Sequence, residues 1–553
     1  MKKMIKGLCV LLSIAFILGC CGCAPEEEEV AVGDVNVGKM GPYETPITIE
    51  TAVSYYITSQ LVEGQTKDDN CWTQLYKDMG INVKYRFSAP NDQYDEKMNI
   101  AIATGNIPDI VTVNSNQLVK LIKADLLYSD LGPIFEKYAT DKTKEVMGYT
   151  ENDPLFQQVT VDGKLKALPY TDNKYDSADI MYIRKDWLKK VGMEAPKTID
   201  EFERMLDAFV NQDPDGNGEN DTEGLVGCKQ MFGGAASVAG IFNAYGAYPH
   251  IWIEDKPGHI TYGGLSQAMK APLAKLAEWY KKGYINKDFA VKDMQKAGSL
   301  IMSSQAGVWF GNMTNPGWPL ATTVANDFSL DWEVCPVPSA TNEPAKGFIG
   351  STMGKFHVVS KKCKNPEAVV LLMNAFTEKM WGDSLTPEEH DAYAQMSSFA
   401  LCQAWPRTKN LDAYRNITAA VDSGDTSSLT AEERLYYNNV KAYIDRGYQI
   451  TDTLQQMDWI RYKIFYKGGS QSVIDYYVTN NLYEEDRWNF LDTPTMLMKK
   501  RTMESSVKEM VIKIIMGQIP VSDFDKEVDK IMKAGASEMI KEANEIYAAQ
   551  KSN

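Results

Sequence analysis

The chain has 553 residues, which is enough for at least two domains or lobes, each with a hydrophobic core of its own. It is acidic, with a formal net charge of −16 at pH 7. Because a nucleic-acid-binding surface needs lysine and arginine to neutralise phosphates, this balance argues against a nucleic-acid partner.

Residues 1–23 have the pattern of an export signal. Three lysines precede an apolar run from Leu8 to Leu18. This run is shorter than the roughly 20 apolar residues of a membrane-spanning helix. We therefore expect a cleaved signal peptide rather than a transmembrane segment.

The apolar run ends at a cysteine that follows a small residue, as in lipoprotein signals. That similarity implies cleavage before Cys20 and a diacylglycerol on its sulfur, with Cys21 and Cys23 as competing candidates. An ordinary secretory signal is the alternative. We expect residues 1–19 to be a lipoprotein signal peptide and residues 20–45 to be a lipid-anchored flexible tether. The membrane contact would then be through the lipid only.

Beyond the tether the chain alternates between strand and helix patterns. Strand patterns that lead into helical patterns start at Ile47, Ile81 and Ile107. This alternation predicts a parallel, doubly wound α/β sheet, in which ligands lie beyond the carboxyl ends of the strands. Tyr55 and Asn114 follow two of these strands and are candidate ligand-binding residues. A plain loop position is the alternative for each.

Two local motifs are predicted in the next part of the chain. Asp162 and Gly163 lie between two short strand patterns and predict the turn of a hairpin. Thr198 and Glu201 have the spacing of a capping box at the start of an amphipathic helix.

A loop rich in oxygen ligands follows that helix, with the sequence DPDGNGENDTEG at 213–224. Alternating side-chain oxygens on a tight turn suit Ca²⁺, which takes six to eight oxygen ligands. Position twelve of an EF-hand loop would be Gly224 instead of a bidentate glutamate, so Glu223 or Thr222 is needed to complete the shell. A turn without metal is the alternative. We predict a structural Ca²⁺ held by Asp213, Asp215, Asn217, Glu219, Asp221 and Glu223.

Aromatic and amide side chains in the middle of the chain are candidate sugar contacts. Tyr245 and Trp252 follow a glycine-rich stretch, and Trp309 ends a strand before a loop with Asn312 and Trp318. The apolar face of a pyranose ring stacks on an aromatic ring, and indole adds one N–H donor. Core packing is the alternative for any single tryptophan.

The remainder of the chain, to Asn553, reads as mainly helical. Trp405 and Arg407 follow a loop and are candidates to enter a binding cleft. No G-x-S-x-G, H-E-x-x-H or P-loop pattern occurs. Acidic pairs are plentiful, so a secreted glycoside hydrolase with paired carboxylates is the alternative function. A cell-surface adhesion module would carry repeats or wall-anchor signals, and neither is found.

Several motifs occur in a characteristic order. They are IATGNIPDI at 102–110, RKDWLKKVG at 184–192 with the oxygen-rich loop after it, GVWFGN at 307–312, KNPEAVVLLMNAF at 364–376, and EMIKEANEIY ending at Tyr547. In this order the chain resembles family 1 of the extracellular solute-binding proteins, especially the LplA-like lipoproteins of carbohydrate ABC importers.

The resemblance implies a two-lobed periplasmic-binding-protein-like fold of type II, in which each lobe is a doubly wound sheet and extra helices follow at the C terminus. The N-terminal lobe would comprise residues 46–170 and about 356–400. The C-terminal lobe would comprise residues of about 171–355 and 401–553. Hinge strands would lie near residues 170–178 and 348–358.

The resemblance also implies the site and the function. It places Tyr170 and Asp172 near the hinge and makes Trp309 the sugar-stacking aromatic. The protein would be a monomeric receptor on the extracellular face of the membrane and not an enzyme. It would close over an oligosaccharide and present it to an ABC permease.

Overall fold

The computed structural model describes residues 36–55, 61–150, 153–350 and 354–551. The predicted signal peptide, the lipidation site Cys20 and the first part of the predicted tether lie outside these residues. In the part of the chain that is described, no helix has both the length and the apolar character needed to cross a bilayer.

Strands and helices alternate through the first two-thirds of the described chain, and helices dominate the rest. The strands are β1 (Ile47–Tyr55), β2 (Ile81–Pro90), β3 (Ile110–Asn114), β4 (Thr160–Val161), β5 (Lys164–Leu165), β6 (Leu168–Pro169), β7 (Ile180–Arg184), β8 (Glu223–Leu225), β9 (Ala235–Ser237), β10 (Trp252–Lys256), β11 (His259–Tyr262), β12 (Ala306–Gly311), β13 (Trp332–Cys335), β14 (Gly347–Ile349), β15 (Lys355–Val359) and β16 (Tyr483–Glu485). The helices are α1 (Cys71–Asp78), α2 (Asn91–Ala103), α3 (Ser115–Lys123), α4 (Gly132–Tyr138), α5 (Asp141–Met147), α6 (Pro154–Gln158), α7 (Lys185–Val191), α8 (Ile199–Asn211), α9 (Ala239–Ala244), α10 (Lys270–Lys282), α11 (Met294–Met302), α12 (Ala321–Asn326), α13 (Ala368–Trp381), α14 (Pro387–Ala394), α15 (Lys409–Ser423), α16 (Ala431–Asp445), α17 (Gln456–Phe465), α18 (Ser470–Thr479), α19 (Pro494–Ile515), α20 (Phe524–Ile531) and α21 (Ser537–Lys551).

The first sheet has the strand order β2-β1-β3-β15-β6. β1 is parallel to both β2 and β3, as the alternation of strands and helices predicts. β15 runs antiparallel to β3 and β6 and comes from a distant part of the sequence. Two separate stretches of the chain therefore build this sheet.

The second sheet has the order β13-β7-β12-β8, and β9 also pairs with β12. Its central strands β7 and β12 are buried along their whole length. Because side chains alternate between the faces of a strand, Met181 and Ile183 enter one core while Ile180 and Tyr182 enter another. Trp309 of β12 lies in the same core as Tyr182.

The hydrophobic cores divide the molecule into two lobes, which confirms the predicted two-lobed α/β fold. One core is formed within residues 43–168 and 356–404, which we call the first lobe. Two further cores lie on the two faces of the second sheet, within residues 178–345 and 411–543, which we call the second lobe. Segments between these ranges carry the chain from one lobe to the other.

Two local predictions are confirmed. β4 and β5 form an antiparallel hairpin, and both turn residues, Asp162 and Gly163, have positive φ angles of 52° and 73°. Thr198 caps α8 by accepting from the backbone N–H of Glu201, whose side chain accepts from the N–H of Thr198.

Candidate functional site

A cavity of about 140 Å³ lies at the carboxyl ends of β1 and β2, beside the first three residues of β3. We call it the first-lobe cavity. Its polar lining comprises Thr51, Ser54, Tyr55, Asn91, Tyr94, Thr112, Tyr170, Lys355, His357, Ser398 and Gln403. This is the edge of a parallel sheet at which α/β proteins bind ligands.

His357 lies on β15 and lines the first-lobe cavity with both ring nitrogens hydrogen-bonded. Its Nε2 is 2.8 Å from the carbonyl oxygen of Gln403 and donates to it, because a carbonyl only accepts. Its Nδ1 then accepts from the hydroxyl of Thr112 at 2.9 Å. Burial lowers the pKa of His357 to about 4, so the imidazole is neutral at physiological pH.

Tyr170, a predicted site residue, lines the same cavity. Its hydroxyl donates to Oε1 of Gln403 and accepts from Nε1 of Trp405, both at 3.0 Å. The ammonium of Lys355 lies 5.5 Å from the centre of the Tyr170 ring. Trp405 does not line the cavity but packs against aromatic side chains of the first lobe. Trp405 was predicted to contact the ligand, but in the structure it supports Tyr170 instead.

The two residues predicted from strand ends have different environments. Tyr55 lines the first-lobe cavity, and its ring centre is 4.9 Å from the ammonium of Lys67. Asn114 caps α3 by accepting from the N–H of Gln117 at 3.0 Å, and it donates to Asp95 at 3.1 Å. Its side chain is thus committed to local structure.

A second cavity, also of about 140 Å³, lies between the lobes. We call it the inter-lobe cavity. The first lobe contributes Ser115, which directly follows Asn114. Asn114 pairs with Lys355 in the first sheet, and Lys355 lines the first-lobe cavity. Both cavities therefore adjoin the same end of the first sheet. The second lobe contributes His250, Trp252, Tyr262, Asp486, Trp488, Phe490, Asp492, Lys500 and Glu504.

Two tryptophans form part of this inter-lobe wall. Trp252, a predicted site residue, is 2% exposed and Trp488 is 3% exposed, and their ring centres are 5.8 Å apart. The carboxylate of Asp486 accepts from the backbone N–H of each at 3.0 Å. Burial raises the pKa of Asp486 to about 6. Within the described residues, neither indole Nε1–H has a hydrogen-bond acceptor.

His250 borders the same cavity in an aromatic environment. It stacks on Phe232 at 5.6 Å and meets the edge of Phe348 at 4.3 Å. Neither buried ring nitrogen has a partner among the residues described here. Burial lowers the pKa of His250 to about 4, so its ring is uncharged near neutral pH.

The structure contradicts the sugar-stacking role predicted for Trp309, which is 0% exposed and donates from Nε1 to Asn315 at 2.6 Å. The side-chain oxygen of Asn312 accepts from its own loop, including Asn315 at 3.2 Å. Trp318 covers Gly298, where a Cβ would lie 2.6 Å from the indole. The Trp309 prediction was wrong because a core covers each face of β12, so the indole is buried on whichever face it lies. Asn312 and Trp318 pack in the loop beside it and line neither cavity.

Three further predicted contacts lie outside both cavities. Arg407 forms an ion pair with Asp153 at 2.8 Å. Asp172 is exposed and accepts from the backbone N–H of Asn173 at 2.7 Å. Tyr245 packs on the far side of the second lobe, near charged side chains of α8 and α10. None of these three lines either cavity.

Several cavity residues were not predicted from the sequence. Asn91 and Tyr94 follow the end of β2, which neighbours β1, so the strand-end rule would have found them. Trp488 and Glu504 come from the helical C-terminal part, where no periodic signal marks a cleft.

The predicted calcium loop draws four oxygen-bearing side chains together. The Asn217 amide donates to Asp215 and to Asp221, at 3.0 Å each. Asp213 accepts from the N–H of Gly218 at 2.9 Å. The hydrogen bond between the Asp213 and Asp215 side chains lowers the pKa of Asp213. Burial and the same hydrogen bond raise the pKa of Asp215. These oxygens are the kind that Ca²⁺ prefers.

The end of the loop departs from an EF-hand. Gly224 cannot carry a side chain, because a Cβ there would lie 2.3 Å from the carbonyl oxygen of Tyr284. Glu223 is half-buried beside Lys292, and burial raises its pKa. Glu219 contacts the cluster through its backbone N–H, which donates to Asn217 at 2.6 Å. Across the described ranges, no group of three or more His, Cys, Asp or Glu side chains has the arrangement of a metal site.

Comparison with known proteins places this geometry in context. The family model described as bacterial extracellular solute-binding protein matches residues 58–382. Lipoprotein LipO of Bacillus subtilis (strain 168) is 24% identical over 485 residues, which cover 86% of this chain and 88% of LipO. The polygalacturonan/rhamnogalacturonan-binding protein YtcQ of the same organism is 23% identical over 472 residues, which cover 84% of this chain and 85% of YtcQ.

A solved structure shares the fold. The S. pneumoniae ABC-transporter substrate-binding protein FusA, in complex with kestose, superimposes with a TM-score of 0.60 at 18% identity. The superposition covers 92% of this chain and 100% of the FusA chain.

Proposed function

Because the chain belongs to the bacterial extracellular solute-binding proteins, we propose that it captures a carbohydrate between its two lobes and delivers it to an ABC transporter permease. The observation that carries this proposal is the inter-lobe cavity. Side chains of both lobes form its wall, and two indole rings, Trp252 and Trp488, line it. The names of YtcQ and of FusA in complex with kestose support a carbohydrate as the ligand class.

The geometry suggests how a sugar would be held. Trp252 and Trp488 offer indole rings to the apolar face of a sugar, and Asp486 would accept from hydroxyl protons. Tyr55 and Tyr170 add two tyrosine rings on the first lobe. Each cavity has only about 140 Å³, so an oligosaccharide would extend from one cavity to the other along the cleft.

Lobe closure is the proposed mechanism. A sugar that contacts both lobes stabilises the closed form relative to the open form and shifts the population toward closed. The crossing segments near residues 170–178 and 348–358 would absorb the rotation. The permease would then recognise the closed form.

The location and assembly are part of the same proposal. Lipid attached to Cys20 would hold the protein on the extracellular face of the membrane, and a tether would separate the lobes from the lipid. The receptor would act as a monomer. Its lipoprotein relative LipO supports this location.

We also propose that the loop at 213–221 holds a structural Ca²⁺. Asp213, Asp215, Asn217 and Asp221 would supply the oxygens. When bound, the ion would offset the repulsion between these carboxylates and fix the loop that joins α8 to β8.

A glycoside hydrolase remains the second candidate function, and one observation favours it. Asp486 and Glu504 line the same cavity, and burial raises the pKa of both. A raised carboxyl pKa is a property of the general acid in such enzymes. The receptor is preferred because the relatives are named as binding or transport proteins.

The test is a binding and cleavage experiment on the purified protein with a panel of oligosaccharides. Saturable heat of binding and a change in tryptophan fluorescence, with no new reducing ends after prolonged incubation, are expected for the receptor. Release of reducing ends that Glu504→Gln abolishes would establish the hydrolase instead.

A further inference from the structure

We infer that the sugar unit which enters the inter-lobe cavity carries no acidic group, so that the ligand is a neutral oligosaccharide and not a polyuronate. The inference rests on the proposed function and specifies its substrate class. Membership of the family does not decide whether the ligand is neutral or acidic. YtcQ is named for polygalacturonan, which is acidic, while FusA was solved with kestose, which is uncharged.

The charges that line the inter-lobe cavity carry this inference. Asp486, Asp492 and Glu504 contribute three carboxylates, and Lys500 contributes the one ammonium. Lys500 is already paired with Asp492 at 2.9 Å. Neither Asp486 nor Glu504 has an ion-pair partner within the described part of the chain. His250 adds no charge near neutral pH, because burial lowers its pKa to about 4.

The residue that best recognises a uronate does not line the cavity. A guanidinium binds a carboxylate through two parallel hydrogen bonds, which makes arginine the usual partner. The arginines on adjoining segments are already neutralised. Arg487 pairs with Glu484 at 3.0 Å and Arg407 with Asp153 at 2.8 Å. Among the described residues, no arginine lines either cavity.

The charges that line the first-lobe cavity do not offset the excess of carboxylates in the inter-lobe cavity. Of the described residues that line the first-lobe cavity, only Lys355 has a charged side chain. Its ammonium lies over the Tyr170 ring, 5.5 Å from the ring centre. A polyuronate would also lie beside the carboxylates of Asp486 and Glu504, and like charges in a partly desolvated site repel strongly. The single ammonium of Lys355 cannot offset that repulsion.

The same lining suits a neutral sugar. Each hydroxyl both donates and accepts, so it can hydrogen-bond to a carboxylate without adding charge to the cavity. Trp252 and Trp488 contribute indole rings to the wall. Tyr262 and Phe490 add aromatic rings to the wall, against which the apolar face of a sugar packs.

The test compares neutral and acidic glycans of the same length. The purified full-length protein is titrated by calorimetry with galactose, glucose and mannose oligomers and with the corresponding uronic acid oligomers. We expect at least one neutral oligomer to bind, and its uronate counterpart to bind at least tenfold more weakly or not at all.

Glu504→Gln provides a second measurement, because it removes one unpaired charge and keeps the shape of the side chain. We expect it to reduce the ratio between neutral and uronate affinities severalfold. The matched control is Glu509→Gln on the same helix, α19, where Glu509 is exposed and pairs with Lys513. The control should leave the ratio unchanged.

The outcomes separate this inference from the proposed function. Equal or tighter binding of a uronate oligomer overturns the inference and leaves the receptor intact. An unchanged ratio in Glu504→Gln also counts against it. If neither class of glycan binds, the proposed function fails and the inference falls with it.

Discussion

The indole Nε1–H of Trp405 donates to the hydroxyl of Tyr170 at 3.0 Å and joins two segments that are 235 residues apart in sequence. Trp405 is in turn fixed by Phe376 and Trp381, whose ring centres are 5.6 and 5.3 Å away. Tyr170 is therefore held through its hydroxyl while the residue lines the first-lobe cavity. Preorganisation of this kind lowers the entropy that binding would otherwise cost.

We predict that Trp405→Phe weakens sugar binding although Trp405 does not line the cavity. The substitution removes a hydrogen bond worth about 1 kcal/mol, which corresponds to roughly a fivefold loss of affinity. Calorimetry with the sugar identified in the panel measures it. Trp381→Phe is the matched control, because its indole belongs to the same cluster but lacks any partner for Nε1–H in the described structure. Equal effects of both substitutions would contradict the positioning role.

Trp309→Phe should separate stability from binding. Trp309 is buried, so the change leaves a cavity and deprives Asn315 of the indole donor. We expect a loss of about 2 kcal/mol in unfolding free energy, which urea unfolding measures. Sugar affinity should stay within about twofold. Trp252→Phe, in the inter-lobe wall, should lower sugar affinity as well as stability, because Trp252 is also buried. Loss of sugar affinity in Trp309→Phe at normal stability would restore the stacking role.

The parts of the fold that have a local signal were predictable. Alternating strand and helix patterns predicted the first sheet, and Tyr55, at the end of β1, lines the first-lobe cavity. Trp309 was misassigned because the sequence shows that an aromatic lies near the end of a strand but not that both faces of the strand are covered. The cover comes from distant segments of the second lobe, which form a core on each face of β12.

The second-lobe wall had no local signal to find. Trp488 and Glu504 lie in a mainly helical region, and only the tertiary fold brings them opposite Ser115 of the first lobe. The departure of the loop from an EF-hand at Gly224 also has a tertiary cause. The carbonyl of Tyr284 occupies the space that a side chain would need.

We predict that Ca²⁺ raises the melting temperature and that a chelator lowers it. Ca²⁺ at 1,000 times its dissociation constant contributes about 4 kcal/mol, which corresponds to a shift of several degrees. Asp215→Asn removes one charged oxygen from the loop and should abolish most of the shift in differential scanning calorimetry. Glu545→Gln, at an exposed position of α21, is the control and should respond like the unmodified protein. A melting temperature indifferent to both Ca²⁺ and chelator would remove the metal from the proposal.

His250 should make the protein less stable in mild acid. Its pKa is lowered by burial from 6.5 to about 4 in the folded state. Between these two pH values the unfolded chain binds a proton that the folded chain does not. The contribution of His250 to stability is therefore complete above pH 6.5 and is lost progressively as the pH falls toward 4, up to about 3 kcal/mol in total.

His250→Phe should flatten this dependence, because phenylalanine cannot take up the proton. The ring loses no hydrogen bond, since both nitrogens lack partners in the described structure, and it keeps its stacking on Phe232. In urea unfolding between pH 7 and pH 4.5, the slope against pH should fall by at most about 1.4 kcal/mol per pH unit, the value for one proton. Buried acids such as Asp179, whose pKa is raised to about 7 by burial, affect both proteins alike and cancel in the comparison.

Phe348→Leu is the control for packing. It alters the edge contact with His250 but retains the imidazole, so it should lower stability by a similar amount at every pH. Plotted against pH, the free energy of unfolding of Phe348→Leu should run parallel to that of the unmodified protein. The curve for His250→Phe should converge with the curve of the unmodified protein or cross it as the pH falls. Identical pH slopes in His250→Phe and the unmodified protein would mean that the imidazole reaches solvent and protonates in the folded state.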